Sequence, residues 1–171
     1  MERAAALADF EAARGEWEAA FRQIPDGALT YLKPGDDYAL GGLQVHVNWV
    51  LAHYRRVLEG IVAAGFADIG PQDPPGAEAE ARAGARRGLM PAERRESLGV
   101  MAHLHAAVRT AIDELPASDW THKAPVVYGE GQEPYPTSPE AILGWLRDHY
   151  REHVEQSAEL IEEWRTAKEA G

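Results

Sequence analysis

The chain has 171 residues, no cysteine, and 28 acidic against 17 basic residues, a formal net charge of −11. The missing cysteine excludes disulfides, thiolate metal ligands and a cysteine nucleophile, and the acidic balance argues against a nucleic-acid phosphate partner. The length suits one domain spanning residues 1–171 with a buried core.

No apolar run approaches the ~18 residues of a membrane-spanning helix. Near the N-terminus, Asp9, Glu11 and Arg14 spoil any signal-peptide core. The expectation is a soluble, cytoplasmic protein without a membrane partner. Arg82, Arg86, Arg87, Arg94 and Arg95 cluster in sequence but alternate with acidic residues, as on a solvated face.

In chain order, a first helix is expected over about residues 3–23, with Leu7, Phe10, Trp17, Phe21 and Ile24 at helical spacing. Pro25-Asp26-Gly27 ends it. A second covers about 37–64, with Leu40, Leu43, Val47, Val50, Tyr54, Val57 and Ile61 on one stripe and Asp36 or Asp37 as cap. Residues 66–90 form a long Gly/Pro/Ala-rich connection in which Ala77 to Arg87 is a short helix or a mobile stretch.

The third helix is expected over about 91–115, with Leu98, Met101, His105, Val108, Ile112 and Leu115 on one face, between Pro91 and Pro116. A second long connection, 116–137, carries Val126-Val127-Tyr128 and no convincing strand. The fourth helix is expected to start with Ser138 as its cap and Pro139 in its first turn, Thr137 to Glu140 having capping-box spacing, and to run to about Ala167. Four amphipathic helices joined by long loops make an all-α four-helix bundle.

The functional signal lies in the histidines. At about 100° per residue, His149 and His153 fall roughly 20° either side of the line through Ile142 and Leu160, on the face to be buried. Two polar rings there cost roughly 1–3 kcal/mol each without partners, and a His-x3-His pair brings two nitrogens within reach of one metal ion.

A third ligand must come from another helix. His46 sits at the edge of the second helix's stripe and His105 lies inside the third's; periodicity ranks them level, ahead of His53. His103 faces the opposite way from His105, and His122 is in a loop. No nucleophile elbow, phosphate loop, zinc-protease motif or repeated Glu-x-x-His pattern occurs, which leaves a mononuclear three-histidine site.

One histidine in the second helix, a long third region and a His-x3-His in the fourth resemble the DinB/YfiT-like superfamily of metalloenzymes. The stretches that carry the resemblance are Tyr38-Ala39-Leu40-Gly41-Gly42-Leu43-Gln44-Val45-His46-Val47 and Ala141 to His153. Two positions depart from the family pattern. Tyr38 stands where a tryptophan is usual, and Trp49 and Val50 replace a frequent acidic residue after the first histidine.

The resemblance selects His46 over His105. It implies an up-down-down-up bundle and a divalent metal ion (zinc, nickel or iron) held by His46, His149 and His153, with open positions for water or substrate. It further implies a homodimer, and a low-molecular-weight thiol activated for S-transfer to a small-molecule substrate. Metal-hydroxide hydrolysis, a non-catalytic metal- or ligand-binding bundle, and histidines packed as polar core residues without a metal are the alternatives. His53 stands as the weak candidate for a catalytic base. Asp148, Glu152 and Asn48 are candidates to orient the ligand rings, and Trp145 and Tyr150 flank the pair.

Overall fold

The computed structural model describes all 171 residues. Numbered in chain order, its helices are α1 (Arg3–Arg22), α2 (Gly42–Ala63), α3 (Ala77–Arg87), α4 (Arg94–Asp113) and α5 (Pro139–Ala170), and its strands are β1 (Ala124–Val126) and β2 (Tyr135–Thr137). The fold is all-α in its load of structure, and α1, α2, α4 and α5 are the four expected helices.

Each of the four buries one apolar stripe in a common core. Phe10, Trp17 and Phe21 of α1, Leu43, Val47, Leu51 and Leu58 of α2, Met101, Val108 and Ile112 of α4, and Ile142, Leu143 and Tyr150 of α5 are 0–1% exposed. Residues spaced three and four apart put this stripe on one side of each helix, so burial and periodicity agree.

Side-chain meetings give the helix directions. Arg151 of α5 pairs with Asp9 and Glu16, and Trp17 packs against His153, so α1 and α5 advance together. Asn48 of α2 donates to the Ser97 carbonyl of α4 at 3.0 Å, while His105 of α4 meets Glu11 of α1. Arg94, at the start of α4, donates to carbonyls at the end of α1. Thus α4 runs opposite to α1.

Local departures from the sequence reading have physical causes. Neither Asp36 nor Asp37 caps α2; the helix starts at Gly42 with Gly41 before it and no side-chain cap. A Cβ on Gly41 would stand 2.5 Å from the Leu29 carbonyl oxygen, and one on Gly42 would stand 1.7 Å from that of Ala85. Glycine is required there because two backbones close on the helix start.

The stretch Ala77–Arg87 is helix α3, and it lies across the first half of α2. Pro91 opens a single 3₁₀ turn before α4 rather than α4 itself. Ser138 caps α5 as expected, accepting from Ala141 N at 3.1 Å. The second long connection does contain strands: β1 pairs antiparallel with β2, Ala124 opposite Thr137 and Val126 opposite Tyr135. Ile69, from the first long connection, bridges to Val126. The two loops thereby hold one another beside α2 and α5. No helix is long and apolar enough to cross a membrane.

Candidate metal centre

His46 comes from the second turn of α2, and His149 and His153 from successive turns of α5. His149 Nε2 lies 3.0 Å from His46 Nε2 and 2.9 Å from His153 Nε2. One ligand atom from each ring falls within 4.8 Å of the others. His153 is 6% exposed and the other two are half-buried.

The protons in this cluster are decided by its neighbours. His153 Nδ1 is 2.7 Å from Gln156 Oε1, which only accepts, so the proton sits on Nδ1 and Nε2 is a bare lone pair. His149 Nε2 faces two imidazole nitrogens at once and can satisfy only one of them with a proton. Burial first, and then the neighbouring imidazoles, push His46 down to about 4 and His149 down to about 2. Burial also lowers His153, against the opposing bond to Gln156.

At neutral pH the three rings are therefore uncharged and their nitrogens converge. That donor set fits a borderline first-row cation. Two nitrogens at about 2.0–2.1 Å from one ion and at right angles lie roughly 2.9–3.0 Å apart, the separations found here. Tyr38 stacks on His46 with ring centroids 4.4 Å apart. Beside it, Tyr38, His46, Trp49, Glu78, Ala81 and Arg82 line an opening of about 70 Å³ under α3.

A family model for the DinB superfamily matches residues 9–157. The chain belongs to the DinB superfamily. No curated protein matches the sequence. Among solved structures, this DinB-superfamily chain is similar to a mycothiol-dependent maleylpyruvate isomerase, with a TM-score of 0.68 at 13% identity over 90% of this chain. That likeness is one of fold, and the chain spans only 60% of the neighbour's length.

The other histidines of this DinB-superfamily chain lie apart. His105, level with His46 by periodicity, is sealed in a different network. Its Nε2 donates to Glu11 Oε2 at 2.7 Å, its Nδ1 accepts from the Tyr150 hydroxyl at 3.1 Å, and Phe10 stacks on it at 4.0 Å. Burial pushes it down to about 4 against the pull of Glu11, so it is neutral. Tyr150 belongs to that network and faces away from the cluster.

His103 is exposed, and His122 is exposed and stacked on Phe66 at 4.3 Å. His53 is not in the cluster either; its Nδ1 meets Asp73 Oδ2 at 2.6 Å.

Of the candidates to orient the ligand rings, Asp148 and Glu152 are exposed, and Asp148 pairs with Arg147. Asn48 binds Gln44 and Ser97 instead. The orienting residue is Gln156, which sequence reasoning missed; its position three residues after His153 on the same helix face was the available signal.

Proposed function

We propose that the chain is a metal-dependent enzyme in which His46, His149 and His153 hold a divalent ion (zinc, nickel or iron) that activates a low-molecular-weight thiol for S-transfer. The observation that carries this is the convergence of three uncharged imidazole nitrogens, His149 at cis-ligand spacing from each of the other two, beside an opening to solvent. A bound ion would supply the positive charge that holds a thiol as its thiolate near neutral pH.

The chain's own residues bind and orient. Gln156 fixes the tautomer of His153, Tyr38 fixes the plane of His46, and Arg82 at the rim offers a cation to an anionic group on the thiol. The thiol-dependence of the isomerase with the similar fold, and the absence of any cysteine in this chain, support an external thiol. We include in the same reading a single domain and a cytoplasmic homodimer. The apolar groove of about 740 Å³ between the last turns of α2 and α4, where Val62 is 46% exposed, supports the dimer.

The test is elemental analysis of protein purified without a histidine tag, followed by conjugation of small thiols to electrophiles. The expected result is about one ion per chain, lost in His149→Ala, with thiol transfer abolished in His46→Ala. Stoichiometric metal without activity on thiols would move the assignment to a hydrolase if esters or amides are cleaved, and to a binding protein if they are not. Absence of metal from wild type after incubation with zinc, nickel and iron(II) would overturn the reading.

A further inference from the structure

Two helical turns beyond His46, about 10 Å along α2, stands a second constellation that the metal centre does not use. Asp73, from the loop between α2 and α3, accepts from His53 through Oδ2 at 2.6 Å. Its Oδ1 accepts twice from Arg56, at 2.9 and 2.7 Å. An ionised carboxylate only accepts, so the proton of a neutral His53 is fixed on Nδ1 and Nε2 presents a lone pair.

That Nε2 makes no hydrogen bond, and no buried side-chain nitrogen in the structure lacks a partner, so it is not sealed from solvent, in a side chain 19% exposed. An oriented base, the carboxylate that orients it and the guanidinium that clamps that carboxylate are the parts of a site built to receive a proton donor.

Rings surround the imidazole. Trp49, Tyr54 and Tyr128 have centroids 6.0, 4.7 and 6.0 Å from that of His53. The Arg56 guanidinium lies over the Trp49 ring, 5.3 Å from its centroid, and Trp49 also lines the opening beside His46. Tyr54 meets Trp145 at 5.6 Å, and Trp145 is one turn before His149 on α5. Tyr135, 55% exposed, continues the shelf outward from Trp145 at 6.1 Å. The aromatic wall therefore runs continuously from His53 to both helices of the metal centre.

We propose that this wall and His53 Nε2 form the subsite for the second substrate, a flat aromatic or conjugated molecule bearing a hydroxyl, a phenol or an enol. The rings bury its plane, and Nε2 accepts its O–H. The assignment of this molecule as second substrate rests on the thiol-transfer reading; the binding itself does not. A ligand without the O–H would leave the imidazole lone pair facing an apolar body, so the subsite discriminates by a hydrogen bond.

The test uses metal-stripped full-length protein, so it is independent of thiol chemistry. Naphthol and its methyl ether, the same flat body with and without the donor, are compared by fluorescence after equilibrium dialysis at neutral pH, where a phenol of pKa about 10 keeps its proton. Wild type is expected to bind naphthol about tenfold more tightly than the ether, the factor one hydrogen bond supplies.

His53→Ala should remove that preference, Asp73→Asn should reduce it while keeping the shape of the loop, and Trp145→Ala should weaken both ligands alike. Equal binding of the two ligands by wild type, binding of neither, or a preference unchanged in His53→Ala would overturn the proposal. A retained preference in a protein that fails every thiol assay would leave the subsite standing and remove only the S-transfer reading.

Discussion

At the scale of the residue, the seven histidines are separated by which of their nitrogens find a partner. His105 spends both on Glu11 and Tyr150 and has nothing left for an ion. His105→Ala should therefore leave metal content unchanged. It should lower stability by about 2–4 kcal/mol, because a ring-sized cavity opens and the buried Tyr150 hydroxyl loses its acceptor. Urea denaturation beside elemental analysis checks both halves; loss of metal in this variant would put His105 back among the ligands.

Periodicity ranked His46, at the edge of one apolar stripe, level with His105, inside another, and no count of helical turns chooses between them as ligands. Their difference is a matter of which neighbour each face meets: α5 with its two histidines, or α1 with Glu11. That is tertiary information, and the sequence carried it only through the resemblance of the segments around Tyr38 and His149.

At the scale of the element, the helix positions were legible because four apolar stripes persist over several turns, a signal that outlasts local exceptions. Helix α3 was less legible, since its composition is mostly alanine, glutamate and arginine, with Ala85 alone buried. The short strands were hidden because three residues each, two of them prolines paired across the ladder, have no period to detect.

What fastens α3 beside His46 is the close approach of its Ala85 carbonyl to Gly42. Gly42→Ala adds a methyl group where 1.7 Å is available, against backbone rather than a side chain that can swing away. Alanine would favour the helix by up to ~1 kcal/mol, yet the forced separation should outweigh it, for a net loss of about 1–3 kcal/mol. The displacement should show as faster amide exchange across residues 77–87, with α5 unaffected. A variant as stable as wild type with unchanged exchange would mean that α3 is not fastened there.

At the scale of the whole molecule, the histidine cluster ties α2 to α5, so proton binding is linked to the fold, as the binding of an ion there would be. His46, His149 and His153 titrate in the folded chain below the 6.5 of an ordinary imidazole, His46 at about 4 and His149 at about 2. An unfolded chain therefore binds more protons than the folded one as pH falls below about 6.5, and the sign of the linkage is that folding stability falls with pH.

His105, also pushed down to about 4, adds to the same slope. The metal-free protein should keep its stability above about pH 6.5 and lose it steadily from there toward about pH 4. A bound ion favours the folded chain by about 2.7 kcal/mol at a free concentration one hundred times its dissociation constant. Since protons compete poorly for these lowered sites, that stabilisation should persist well below pH 6.5, where a set of ordinary exposed histidines would already release the metal.

Melting curves with and without zinc, taken at half-unit steps of pH, check the argument. The gap in Tm should stay nearly constant down through pH 6 and close only as the folded sites themselves protonate. A gap that closes at the pKa of free imidazole would mean that the three rings are neither desolvated nor coupled in the folded protein, and that the ion binds elsewhere.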